Sequence, residues 1–323
     1  MIITKTPLRL SLLGGNTDFR EYFLKYGGLV LSTTIDKYVY CIVKERFDDS
    51  LVVNYTIKEN VEKVVELKHE LVREALKLLG ITKAIEISFM ADIPAQGTGL
   101  GSSSAVTIGV LNALRTYLGE NVNSRRLAEE AIKIEIDILK KPIGVQDQYI
   151  ISAGGLRAIE LKPGGLANSK KVVLSESVWE DFNNSLMLFY TGIARNSDDV
   201  LASIDISGNI ALLDQNKILA REGVNALHKG DLKKFGQLLD TYWQLKKTLS
   251  NKISNPRIEK MYKLAKRAGA IGGKVVGAGG GGFLLLMLPV NKRAAVRQAL
   301  KNYRQLPFRF SQGGSRVIFN AEK

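Results

Sequence analysis

Pro94-Ala95-Gln96-Gly97-Thr98-Gly99-Leu100-Gly101-Ser102-Ser103-Ser104 separates a stretch of strand character, 84–93, from one that is apolar at helical spacing, Ala105 to Leu118. Gly97, Gly99 and Gly101 remove Cβ atoms where a backbone must approach a ligand closely. The helix that follows offers unpaired N–H groups and the positive end of its dipole. Three hydroxyls at the helix start can cap it, bond a phosphate oxygen or coordinate Mg2+. Capping alone is the bland alternative, but three glycines and three serines exceed what a turn requires, so a phosphate-binding loop is expected. The other nucleotide motifs are missing: the chain has no G-x-x-x-x-G-K-[ST], and no G-x-G-x-x-G follows its first strand.

Working outward, residues 1–13 alternate as a strand that breaks at Gly14-Gly15, and 35–47 is rich in β-branched and aromatic residues. A helical period over 67–79 stops at Gly80. Ser124 is expected to cap a helix running to about Leu139, which Pro142-Ile143-Gly144 ends before Val145-Gln146-Asp147-Gln148 opens a new element. Beyond residue 170 the pattern predicts a strand over 185–190, two long helices between 210 and 250, and a third over 256–268. Strands follow at Lys274 and 283–288, then a helix near 291–302 and terminal strands. This is α+β organisation without repeats, read as two domains, 1–170 and 171–323, whose boundary has no obvious linker.

A length of 323 residues suits two domains sharing a cleft. Hydrophobic residues at 45% and charged residues at 24% are ordinary for a globular protein, and no apolar run approaches the roughly 18 residues that span a bilayer. The opening residues lead straight into a strand pattern without a secretory signal, which makes a cytoplasmic protein the expectation. One cysteine, Cys41, makes no internal disulfide, and two histidines without partners argue against zinc. The net charge of +14 is uneven: residues 1–170 hold 22 basic and 20 acidic groups, and 171–323 hold 24 and 12. Such a surplus suits nucleic acid, an anionic surface or a phosphorylated small substrate, although solvated helix faces explain scattered lysines equally well.

Pro94 to Ala105 resembles the second motif of the galactokinase, homoserine kinase, mevalonate kinase and phosphomevalonate kinase (GHMP) superfamily. Pro7 to Asp18 is similar to its first motif and Lys274 to Gly282 to its third. Thr6 to Leu10, Gly14-Gly15-Asn16-Thr17-Asp18 and Gly144 to Gln148 look most like the D-glycero-D-manno-heptose 7-phosphate kinases. Galactokinases carry Gly-Glu-His-Thr-Asp in the first of these places. The resemblance implies an N-terminal β-α sandwich (ribosomal-protein-like) domain and a C-terminal ferredoxin-like domain, with ATP and Mg2+ as cofactors. It implies transfer of the γ-phosphate to the anomeric hydroxyl of a heptose 7-phosphate.

The same resemblance supplies site residues. Pro94, Gly97, Gly99, Leu100, Gly101, Ser102, Ser103 and Ser104 would hold the nucleotide, and Ser103 with Glu135 would hold Mg2+. Asp147 would meet the acceptor hydroxyl with Arg9 beside it; the residues alone leave open a helix N-cap at 147 and a strand arginine that reaches solvent. Asp18, Gly15, Asn16, Thr17, Gly279 and Gly280 are expected at the acceptor, with an Asx turn as the alternative for Asp18. Arg195 would meet a substrate phosphate or remain a surface loop residue. Other small-molecule or sugar acceptors are the rival within kinases. A basic nucleic-acid-binding protein is the rival outside them, predicting salt-sensitive polynucleotide affinity and no nucleotide turnover.

Overall fold

A computed structural model describes residues 1–94 and 97–321; Ala95 and Gln96, inside the expected phosphate loop, lie outside the described residues. The strands are β1 (Ile2–Leu13), β2 (Gly28–Glu45), β3 (Leu51–Asn54), β4 (Lys58–Val61), β5 (Ile85–Ala91), β6 (Leu156–Leu161), β7 (Ala167–Lys171), β8 (Leu186–Tyr190), β9 (Gly272–Val275), β10 (Phe283–Met287), β11 (Gln305–Leu306), β12 (Phe310–Ser311) and β13 (Arg316–Asn320). The helices are α1 (Arg20–Tyr26), α2 (Glu70–Leu79), α3 (Ser102–Tyr117), α4 (Ser124–Ile132), α5 (Gln146–Ala153), α6 (Glu176–Asn184), α7 (Ser197–Leu201), α8 (Ile210–His228), α9 (Leu232–Thr248), α10 (Pro256–Arg267) and α11 (Arg293–Ala299).

The frame is the antiparallel pair of β1 and β2, matched from Ile2–Val43 to Leu13–Leu31. Its register slips between Pro7 and Leu8, where Asp36 and Lys37 bulge out of β2. Pro7 has no N–H to give the ladder, and a bulge beside it absorbs the missing bond. The bulge also anchors the chain's end: Asp36 N donates to Arg309 O at 2.8 Å and Asp36 Oδ1 accepts from Arg309 N at 2.9 Å. β12 then pairs with β2 at Ile35 and Thr34, and β13 pairs with β1. The first sheet runs β13-β1-β2-β5-β3-β4, with β6 and β12 added along β2 and β7 along β6; every pairing is antiparallel except β3 with β5.

The second sheet has the order β11-β8-β10-β9, all antiparallel, joined as strand, helices, strand, strand, helix, strand. That is the ferredoxin-like arrangement expected of the second half. With the first sheet it makes the two-sheet α+β arrangement that the resemblance implies. α8 packs on β1 and β2, and α9 packs on α8 and on β9, so these helices tie the two sheets together. Adjacent residues of α9 serve different cores, Tyr242 the larger one and Trp243 the one under the second sheet.

Two local expectations change. Asn123, not Ser124, caps α4: its backbone is extended and its side chain accepts from Arg126 N at 2.9 Å, whereas Ser124 is already helical. The helix expected to reach Leu139 leaves α geometry after Ile132, and 133–138 form a wider π turn. Glu135 lies in this turn and is interior, 0% exposed.

The returning chain end is locked by aromatics. Phe182 of α6 is buried edge-on to Phe235 of α9 at 5.0 Å and tilted against Phe310 of β12 at 5.1 Å. Phe182→Ala opens a cavity among three elements and is expected to cost about 3–5 kcal/mol in denaturant unfolding. Folded enzyme should keep most of its turnover, since none of these rings lines the cleft described below.

Candidate active site

Along β1 the two-residue period gives Leu8, Leu10 and Leu12 to the core and leaves Arg9 and Ser11 on the other face, where both line a cleft. Arg9 cannot reach solvent there. Its Nε donates to Asp147 Oδ1 at 2.6 Å and its Nη2 to Asp147 Oδ2 at 2.5 Å, a bidentate pair with side-chain exposures of 7% and 19%. Nη1 donates to Gly99 O at 2.5 Å, and Arg9 N donates to Leu100 O at 2.9 Å. Asp147 is the second residue of α5, whose N-cap is Val145, so it does not cap that helix.

Gly97, Gly99 and Gly101 have φ of 73°, 75° and 77°, in the left-handed region where a side chain is strained. Gly101 is the N-cap of α3, and no side chain caps this helix. The serines are engaged elsewhere: Ser102 Oγ lies 3.3 Å from Thr98 Oγ1, Ser104 Oγ donates to Glu135 Oε2 at 2.8 Å, and Ser103 is exposed. The first-turn N–H groups, which have no intrahelical acceptor, therefore face a cavity of about 640 Å3 lined by Ser102, Ser103 and Ser104, with Arg9, Asp147 and Arg195 opposite. Leu100 turns its side chain into the core and contributes its carbonyl; Pro94 does not line the cavity.

A lobe of about 60 Å3 adjoins this cavity and shares Arg9, Asp147 and Gly277 with it; Gly15, Asn16, Asp18 and Gln146 form its wall. Asp18 is no Asx turn. Its Oδ1 accepts from Asn16 N at 3.0 Å and its Oδ2 from Gln146 N at 3.1 Å, binding the loop after β1 to the turn that carries Asp147. A Cβ on Gly144 would lie 2.0 Å from Asp18 Oδ2, so this contact requires glycine. Burial pushes the Asp18 carboxyl up to about 6, and the charge of Asp147 adds to the rise while the Gln146 N–H opposes it. Asn16 Nδ2 is buried without a partner. Thr17 turns inward and donates to Gly14 O at 2.7 Å.

Glu135 is one layer behind the loop serines. Its carboxylate accepts from Ser104 Oγ, from Thr107 Oγ1 at 2.6 Å and from Gln148 Nε2. Burial raises its pKa and these three donors pull it back. Ser103 lines the larger cavity and Glu135 does not; Thr107 Oγ1 links them, 3.1 Å from Ser103 O and 2.6 Å from Glu135 Oε1. Arg195 is half-buried beside the glycine loop, not at the small lobe. Its Nε donates to Gly279 O and its Nη1 to Ser197 Oγ, and its Nη2 is buried without a partner among the described residues. Burial, then the charge of Arg9, lowers its pKa to about 10. Gly279 and Gly280 pack against Ile253 and Lys252; Gly277 and Ala278 are the residues of that loop that reach both cavities.

Sequence reading missed several residues here. Tyr242 and Lys246, one turn apart on α9, form the floor of the small lobe. Lys274 of β9 is wholly interior, its Nζ donating to Ser11 O at 2.9 Å and to Leu12 O at 3.2 Å and standing 4.4 Å from the centre of the Tyr242 ring. Burial first, then Lys246 and Arg9, hold its pKa well below the ordinary lysine value. A lysine inside the apolar run Gly272-Gly273-Lys274-Val275-Val276 was a legible signal. Lys246, on a helix with many basic residues, gave none.

The donor set fits a polyphosphate: an uncapped helix N-terminus, an open Ser103 hydroxyl and an unpartnered Arg195 N–H all face the larger cavity. Residues 60–155 match the GHMP kinases N terminal domain and residues 224–305 the GHMP kinases C terminal domain. A D-glycero-alpha-D-manno-heptose 7-phosphate kinase of Campylobacter jejuni is 30% identical over 329 residues, covering 93% of each chain. A galactokinase of Pyrococcus furiosus is 24% identical, over 93% of this chain and 92% of the other. A crystal structure described as a D-glycero-D-manno-heptose 1-phosphate kinase from Bacteroides thetaiotaomicron superposes with a TM-score of 0.83 at 25% identity, covering both chains completely. The chain belongs to the GHMP kinases. It is a phosphotransferase with an alcohol acceptor, and ATP is the phosphate donor.

The serines separate structural from ligand-facing hydroxyls. Ser104→Ala leaves a fully buried carboxylate one donor short and is expected to lower stability by about 1–3 kcal/mol in denaturant unfolding. Ser103→Ala should leave stability unchanged within about 0.5 kcal/mol and raise the KM for ATP.

Proposed function

We propose that this chain transfers the γ-phosphate of ATP to the anomeric hydroxyl of D-glycero-D-manno-heptose 7-phosphate, giving the 1,7-bisphosphate. The observation that carries the reading is the bidentate Arg9–Asp147 pair at the junction of a phosphate-suited cavity and a small polar lobe. The heptose acceptor is supported by the names of the Campylobacter relative and the Bacteroides structure, both of which refer to heptose phosphates. We retain 1–170 and 171–323 as the proposed domains, with β12 and β13 returning to the first sheet.

In this reading the acceptor hydroxyl lies against Asp147. As its oxygen bonds to the γ-phosphorus and the bond to the β-phosphate oxygen breaks, its proton passes to a carboxylate oxygen and ADP leaves. Arg9 fixes the carboxylate plane by two hydrogen bonds, so that the attacking oxygen is aimed rather than found by chance. The α3 N-terminus and the free Nη2 of Arg195 take the negative charge that spreads over the transferred group. Asp18, Asn16 and the Gly15 backbone are proposed to contact the acceptor. Mg2+ is kept as a proposal with Ser103 and Glu135 as its ligands. Glu135 fits it only after the Ser104 and Thr107 hydroxyls turn away. The ion would supply charge neutralisation on the phosphate oxygens.

Asp147→Asn keeps the shape and removes the charge and the proton acceptor. It is expected to lower kcat by about 10^2–10^4-fold with ATP affinity nearly intact by calorimetry. Wild-type-like turnover would remove Asp147 from the chemistry. The acceptor itself is tested with a panel of sugars, sugar phosphates, mevalonate and homoserine with Mg2+ and ATP, the new phosphate being located by phosphorus NMR. The heptose 7-phosphate should give the highest kcat/KM with the phosphate on the anomeric carbon. Better turnover of an unphosphorylated acceptor sinks this choice and leaves the kinase class standing.

A further inference from the structure

Lys246 is 2% exposed, yet the only bond its ammonium makes among the described residues is to a neutral acceptor, the carbonyl of Gly277. An ammonium has three N–H groups. No carboxylate among the described residues lies within ion-pair distance of it; of the charges around it, Arg9 and Arg195 repel and Asp18 attracts. Burial first, then Arg195 and Arg9, lower its pKa to about 7, and an anion from outside the chain is the physical counterpart that would hold it charged.

The anion's place is defined by what else faces the small lobe. Asn16 Nδ2 is a second interior donor without a partner among the described residues, and Asn16 and Lys246 line the lobe together. The space, about 60 Å3, suits a compact group rather than a sugar ring. It is kept open at Gly15, where a Cβ would lie 2.7 Å from the Tyr242 hydroxyl. Asp18 also faces the lobe, but each of its oxygens already accepts a backbone N–H, which draws its charge away from a second anion. Arg195 lines only the larger cavity, and its Nε and Nη1 are committed.

We propose that Lys246 and Asn16 form the subsite for the phosphate that the acceptor already carries, and that they, not Arg195, select a phosphorylated sugar. The inference rests on the reading of a sugar phosphate acceptor. The lobe adjoins Asp147, so an acceptor anchored here by its phosphate reaches back into the larger cavity, with its reacting hydroxyl against the carboxylate.

The test compares wild type, Lys246→Met, Lys246→Arg and Asn16→Ala on D-glycero-D-manno-heptose 7-phosphate and on the unphosphorylated heptose, each with saturating ATP. Lys246→Met should raise the KM for the phosphorylated sugar about 30-fold or more while kcat moves less than about 3-fold. The preference in kcat/KM for the phosphorylated over the unphosphorylated sugar should fall by a similar factor. Lys246→Arg should recover part of that preference, and Asn16→Ala should raise the same KM by about 5–10-fold, which tests the subsite even if the methionine variant folds poorly. Inorganic phosphate should raise the wild-type KM competitively and lose that effect in Lys246→Met. A fall in kcat with KM unmoved means that Lys246 serves the transferred phosphate and overturns the subsite. Failure of the wild type on every phosphorylated sugar overturns the acceptor reading; activity there with Lys246→Met unchanged overturns the Lys246 assignment alone.

Discussion

Two opposite charges held face to face in a nearly dry cleft are the constraint around which this protein is arranged. A buried ion pair is stable only when both members keep their remaining hydrogen bonds, because removing one leaves a lone charge in a medium that solvates it poorly. Arg9 therefore fixes more than Asp147. Its third donor takes the carbonyl of Gly99 and its backbone N–H takes that of Leu100, so β1 positions the phosphate loop as well as the carboxylate. Asp18 repeats the device from the other side, tying the loop after β1 to the backbone of Gln146. Three segments distant in sequence are brought to one point by carboxylate and guanidinium geometry.

The cleft is left with more positive than negative charge. Arg9 is matched by Asp147, while Arg195, Lys246 and Lys274 approach the same region, Asp198 opposing the first and Asp18 the two lysines. Nearly all the interior shifts share one cause, loss of water, which lowers the lysines and Arg195 and raises Asp18 and Glu135. A site poised in this way gains when multiply charged anions enter, because each restores a partner to a cation that burial has stripped of solvent. That is the electrostatic logic of a kinase whose donor, and in the proposed reading also its acceptor, carries phosphate.

The π turn at 133–138 shows how a local irregularity serves the site. Glu135 continues the buried face of α4, four residues after Ala131 and seven after Ala128, and the turn carries it in the layer behind the loop serines. Ser104, Thr107 and Gln148 then surround it, and the start of α3 is held rigid against α5. Ser103 alone among the three serines stays exposed.

Much of this was legible in the sequence. The glycine–serine stretch before an apolar helix and the alternation that leaves Arg9 inside a strand are short-range features, and short-range physics writes them in order along the chain. The second half likewise announced its strand and helix sequence, and the ferredoxin-like sheet followed. What the sequence could not show is which side chains face one another across long separations. Among twenty-four basic residues in the second half, nothing local distinguishes Lys246, because its role depends on α9 packing between β9 and α8 over the loop after β1. Arg195 pointed to an acceptor phosphate by its motif, and only the fold showed that two of its nitrogens are taken and that it lines the larger cavity. Asn123 rather than Ser124 caps α4, a choice between two neighbours that local cap preference does not separate, and 133–138 widen to a π turn that the helical period does not announce. The sequence determined the elements and the chemistry available to the site; tertiary structure decided which charges lost their water together, and interior charge balance is a property of three-dimensional neighbours.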